Sequence, residues 1–192
     1  MTLAKWQPPI KKIPSTTHAG ERTFTPIHTA VGAALSQWEH FESGLSMLFQ
    51  LLCEATTMAA SRAYGTVESC YSKAQMLREA AIVFFDTRHP FDEQYSKEID
   101  NLVAAYENGQ KYRNNIAHGM AVSYVFTRNR NGYFLCPPTS ATKKHKRAKQ
   151  PYFENIAYFY DVTDINYCGE RFTTLLAENM RLMISQIRST LF

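Results

Sequence analysis

Four stretches of the chain repeat their apolar residues every three to four positions, the period of a helix with one buried face. The first carries Ile27, Val31, Leu35, Trp38, Leu45, Leu48 and Leu52, preceded by Thr25-Pro26. A threonine N-cap followed by proline is a favoured helix start, and the pattern predicts a helix over about 26–54. The second, about 57–87, uses Val67, Cys70, Tyr71, Ala74, Leu77, Ala81 and Phe84, with Gly65 as an irregularity. His89-Pro90 ends it, because the residue before a proline disfavours helical geometry. The third, about 91–118, uses Tyr95, Ile99, Leu102, Val103 and Tyr106 and stops at Gly119, where a C-terminal cap belongs. The last begins near Thr163 or Asp164 and carries Phe172, Leu175, Leu176, Met180, Met183, Ile184 and Ile187.

Between the third and last helices the period changes to two. Val122, Tyr124 and Phe126 alternate with small or polar residues, Asn131-Gly132 is a hairpin signal, and Tyr133 to Cys136 forms the returning strand. Tyr152 to Val162 reads as a third strand. The expected fold is mainly α: an antiparallel four-helix bundle with a small antiparallel β-sheet inserted between helices three and four. Residues 1–24, rich in Pro, Thr and Lys without a period, read as an extended arm. Residues 25–192 read as one domain, including a β-insertion at 120–162.

A chain of 192 residues with 45% hydrophobic residues has enough apolar material for a packed core, which excludes wholesale disorder. No apolar run approaches the roughly 18 to 20 residues that cross a bilayer, and the first residues lack the apolar stretch of a secretory signal. No membrane association and a cytoplasmic location are expected. The four cysteines, Cys53, Cys70, Cys136 and Cys168, form no CxxC and lie at no metal-ligand spacing, so free thiols, no metal and no cofactor are expected. The formal charge of +4 is local, since Lys143, Lys144, Lys146, Arg147 and Lys149 supply five positives within seven positions. Subtracting those five from +4 leaves −1. This run lies between two expected strands, either as a solvated loop or as a phosphate-binding element for RNA.

The third helix closes on Arg113-Asn114-Asn115-Ile116-Ala117-His118-Gly119. This resembles the Arg-x4-6-His signature of HEPN domains, an all-α superfamily rich in metal-independent ribonucleases. Arg22 to His28 also fits the spacing but straddles the helix start at Pro26. Arg113 has the better context, with a polar residue directly after it, a long third helix before it and a glycine after the histidine. At about 100° per residue, Arg113 lies near the apolar stripe and Asn114 and His118 share a face, whereas Arg113 and His118 diverge by about 140°. Either the helix distorts near Gly119, or two protomers pool these side chains around a twofold axis; the resemblance favours the homodimer.

The resemblance implies cleavage of single-stranded RNA through attack of its own 2′-hydroxyl. His118 would be general acid or base, Arg113 would hold the scissile phosphate, and Asn114 would orient the histidine or the phosphate. It implies no metal, and a toxin or defence role in which an antitoxin is a candidate partner. Met120 stands where some HEPN toxins carry a tyrosine that their partner modifies. On the first helix, Trp38 and Phe41 are expected in the core, and Glu39 or Glu42 to salt-bridge Arg113. Tyr124, Phe126, Tyr133 and Phe134 either half-bury the hairpin or stack bases. The competing reading is a non-catalytic HEPN-like bundle that binds nucleic acid or a protein partner.

Overall fold

The computed structural model describes residues 20–87, 93–127, 130–138 and 158–191, without the side chains of 126–130 and 186–191. The elements are α1 (Thr25–Leu52), α2 (Ala59–Gly65), α3 (Cys70–Asp86), α4 (Glu93–His118), β1 (Met120–Thr127), β2 (Arg130–Cys136) and α5 (Val162–Leu191). The protein is mainly helical, with one two-stranded antiparallel sheet among the described residues. No helix of the described residues is long and apolar enough to cross a membrane. All five basic residues of the 143–149 run lie outside the described residues, as do residues 152–157 of the expected third strand.

Helix boundaries follow local chemistry. α1 ends in a Schellman arrangement: the Ala55 N–H donates to Gln50 O (3.1 Å) and the Glu54 N–H to Leu51 O (2.9 Å). Glu54 occupies the left-handed position, φ 49°, usually filled by glycine. The single helix expected over 57–87 is two helices. Gly65 and Thr66 end α2, and Ser69 restarts the chain as the N-cap of α3 by accepting from the Ser72 N–H at 3.2 Å. Val67 therefore lies outside both helices, and Tyr71, expected in the stripe, is 67% exposed. α5 begins with a reciprocal cap, in which the Asp164 N–H donates to Asp161 Oδ1 (2.9 Å) and the Asp161 N–H to Asp164 Oδ2 (3.3 Å).

The chain divides into two units, and α1, α4 and α5 contribute to both. Unit one is built from Gln37–Lys111 and Arg171–Phe192. Its centre is Trp38, stacked on Tyr106 (centroids 5.4 Å) and met edge-on by Phe41 and Phe172. Leu45, Leu48, Leu77, Ile99, Leu102 and Val103 of the same unit are all fully buried. The buried stripe of α5 differs from the expected one. Phe172, Leu175, Asn179 and Leu182 are inside, while Met180 and Ile184 are each about half exposed. A polar residue thus holds a core position, and Gly44 of α1 makes room for it, since a Cβ there would lie 2.5 Å from the Asn179 amide nitrogen.

Unit two comprises the described chain up to Ser36 together with Tyr112–Glu170. β1 and β2 pair from Met120 opposite Cys136 to Thr127 opposite Arg130, with an irregularity between Val125 and Thr127. Asn131-Gly132, expected as the turn, lies inside β2. Gly132, at φ 157°, is needed because the main chain of Gly20 packs against it, where a Cβ would come within 2.6 Å of the Gly20 Cα. The outer side of β2 carries two isolated bridges, Glu21 to Tyr133 and Tyr160 to Leu135. The latter is what the described residues hold of the expected third strand. Phe134, Cys136 and Phe159 form a buried cluster joined by Tyr124.

Candidate functional site

α4 stays helical through His118, so the distortion considered near Gly119 is not what the helix does. Its last two turns in unit two bury Tyr112 and Ile116, leave Arg113 half-buried, and expose Asn114 and His118. Ala117 is half-buried. The Arg113 Nη1 donates to Asn114 Oδ1 at 3.4 Å, a long contact that orients the amide towards the guanidinium. His118, four residues on, shares the exposed face of Asn114.

The end of this helix is pinned by a clamp that the periodicities do not reveal. The Asn115 side chain donates to the Tyr160 hydroxyl at 3.0 Å, and the Tyr158 hydroxyl donates to the Asn115 main-chain carbonyl at 2.8 Å. The two tyrosine rings stack with centroids 4.6 Å apart. Burial pushes the Tyr160 phenol up to about 12, partly opposed by its bond from Asn115, so it stays a neutral partner at physiological pH. Gly119 follows immediately. A Cβ there would meet Leu135 Cγ at 2.6 Å and the Asn115 carbonyl oxygen at 2.9 Å, so the glycine serves close approach to the hairpin. It is not the left-handed cap expected of it, because its φ is not positive.

The first-helix acids belong to unit one. Glu42 accepts from the Tyr106 hydroxyl (2.8 Å) and pairs with Lys73 (2.6 Å), a part-buried charge cluster beside Tyr64 and Cys70. Glu39 is exposed. Among the described residues, the Tyr64 hydroxyl and both amide atoms of Asn179 are buried without a hydrogen-bond partner. All four cysteines are free, and burial pushes Cys136 and Cys168 up to about 12 and raises Cys70, which leaves these thiols protonated and poor nucleophiles. Among the described residues no group of three or more His, Cys, Asp or Glu is placed to hold a metal ion.

The chemistry available at the α4 end is an exposed imidazole, an exposed amide and a guanidinium on one immobilised helix terminus. Comparison with family models, with curated proteins and with solved structures finds no match to this chain.

Proposed function

We propose that the chain is a HEPN-like domain in which the long helices α1, α3, α4 and α5 form an antiparallel bundle, and that it is a metal-independent endoribonuclease acting on single-stranded RNA. The observation that carries the reading is the exposed His118 on the same pinned helix end as the Arg113–Asn114 pair. In this reaction His118 moves the proton of the 2′-hydroxyl or of the leaving 5′-oxygen, a role worth about 10² to 10⁴ in rate. Arg113 binds the scissile phosphate and stabilises its developing charge. Asn114 holds the guanidinium or the phosphate in line. Because the side chains of Arg113 and His118 leave a regular helix about 140° apart, the reading calls for a homodimer in which Arg113 of one protomer meets His118 of the other. A toxin or defence role, with an antitoxin as partner, fits such an activity.

The test is cleavage of single-stranded RNA in EDTA, leaving 2′,3′-cyclic phosphate ends. Arg113→Ala and His118→Ala should each lose at least about 10²-fold in rate while keeping their unfolding temperature. Mixing the two inactive variants should restore up to about a quarter of the activity, because half of the reassorted dimers carry one intact composite site. Cleavage that survives both substitutions overturns the mechanism. The same 140° divergence favours a second reading, a non-catalytic HEPN-like bundle that binds nucleic acid or a protein partner. That reading predicts no turnover, and binding that persists in both variants.

A further inference from the structure

The second stretch that fits the Arg-x4-6-His spacing, Arg22 to His28, has no part in the proposed reaction, yet unit two seats it on the hairpin. The Glu21 N–H donates to Tyr133 O at 3.1 Å and the Tyr133 N–H donates back to Glu21 O at 2.8 Å. Gly20 packs so closely on Gly132 and Phe134 that a Cβ on it would lie 2.9 Å from the Gly132 carbonyl carbon and 2.5 Å from the Phe134 ring. The segment that follows is therefore held in place before α1 begins. Phe24 meets Tyr133 edge-on at 6.0 Å between centroids and His28 at 5.2 Å, and it remains 50% exposed. His28 is exposed beside it, and Arg22, two positions earlier in the chain, is exposed as well. An aromatic ring fixed by its neighbours on two sides and open to solvent, with an exposed arginine two positions away in the chain, has the chemistry of a nucleobase slot.

We propose that Phe24, flanked by Tyr133 and His28, is a stacking platform for a base of single-stranded RNA, with Arg22 on the adjoining phosphate. The inference rests on the reading of RNA as the ligand and deepens it by naming a second contact region. Its position fits. Opposite residues of an antiparallel pair share a face, so Tyr133 (opposite Ser123) and Leu135 (opposite Ala121) lie on one face of the hairpin, two positions or about 7 Å apart. Leu135 is the residue against which Gly119 packs, directly after His118. A strand stacked on Phe24 therefore reaches the α4 end within a few nucleotides. Among the described side chains, the hairpin aromatics Tyr124 and Phe134 are already engaged, both packing edge-on against Phe159. A protein partner is disfavoured by size, because one half-exposed ring among polar neighbours falls far short of the roughly 800 Å² per side of a stable interface.

The experiment uses the full chain carrying His118→Ala, so that binding is read without turnover, and a fluorescein-labelled single-stranded 12-mer of uridylate, by anisotropy. Phe24→Leu keeps apolar bulk and removes the aromatic face; it should weaken binding by about 5- to 150-fold, while Phe24→Trp stays within a factor of about two. An oligomer of the same length without bases should bind Phe24→Leu and its parent alike. Arg22→Gln should make the log-log salt dependence shallower by about 0.7. Binding by a folded Phe24→Leu protein within about twofold of its parent overturns the platform, and so does failure of the parent to bind the 12-mer. Should Phe24→Leu not fold, the exposed Arg22 decides: an unchanged salt slope overturns the platform. Turnover is scored separately on the unsubstituted chain. Phe24-dependent binding without cleavage removes the ribonuclease reading and leaves the platform, whereas His118-dependent cleavage with Phe24-independent binding does the reverse.

Discussion

Gly119→Ala is a one-methyl test of how α4 meets the hairpin. The added carbon would sit 2.6 Å from Leu135 Cγ, 2.9 Å from Leu135 Cδ1 and 2.9 Å from the Asn115 carbonyl oxygen. Carbon–carbon contacts are favourable at about 3.5 to 4.0 Å, so the overlap is close to 1 Å. The obstructing atoms cannot simply swing away, since Cγ is the branch point of a side chain 2% exposed and the oxygen belongs to a helix carbonyl held by Tyr158. Overpacking of this kind costs about 1 to 3 kcal/mol. Against it stands the lower entropy of an unfolded chain with alanine, about 0.4 to 1 kcal/mol, which applies because Gly119 has no positive φ. The net expectation centres on a loss of about 1.3 kcal/mol, or a fall of roughly 3 to 5 °C in Tm for a chain of this size by calorimetry. In a Leu135→Ala background the obstruction is gone, and the same substitution should become neutral or slightly stabilising. A Tm for Gly119→Ala equal to or above that of the parent refutes the close-approach argument.

Two further outcomes follow from the charge pairs of unit one. Glu42→Leu leaves Lys73, whose side chain is 11% exposed, without its partner and strips the buried Tyr106 hydroxyl of its acceptor; chemical denaturation should show a loss of roughly 3 kcal/mol, and adding Lys73→Met should recover part of it. Arg181 holds the Glu98 carboxyl below the usual carboxylate range by hydrogen bonding, so the pair's contribution is present above the unfolded value near 4.3 and is lost as pH falls through the lower folded value. Because Arg181 is 43% exposed the contribution is at most about 1 kcal/mol, and Arg181→Gln should lower Tm at pH 7 but not at pH 2; an equal effect at both would remove the linkage.

Helix period was legible in the sequence because it is a local property. α1 and α4 fall within two residues of their expected bounds, and every apolar residue expected on α4 from Tyr95 to Tyr106 is buried. The departures have one cause, the use of a residue for a contact that lies far away in the chain. Gly132 reads as a hairpin turn from its neighbour Asn131, but its need for glycine arises from Gly20, more than a hundred residues earlier. Asn179 reads as the polar side of α5, but Gly44 on α1 admits it to the core and rotates the buried stripe away from Met180 and Ile184. The split at Gly65 is the exception, because there the break and the Ser69 cap are both local.

The candidate site follows the same division. Arg113, Asn114 and His118 stand within six residues, so their spacing declares them, whereas Tyr158 and Tyr160 reach Asn115 from more than forty residues away. That clamp explains the junction itself. The last four carbonyls of a helix lack intrahelical donors, and chains commonly satisfy them by turning back through a left-handed residue. In α4 the first of those carbonyls, that of Asn115, receives the Tyr158 hydroxyl instead, and the Asn115 amide is tied to Tyr160. With a side chain supplying this part of the cap, the backbone need not reverse, and it runs from His118 through one close-packed glycine directly into β1. The consequence for His118 is physical: it is solvent-exposed, but the turn that carries it is fixed by hydrogen bonds on one side and by Leu135 on the other. On the proposed reading, an imidazole so placed would keep access to a strand of RNA without the backbone freedom that would blur its aim at a phosphate.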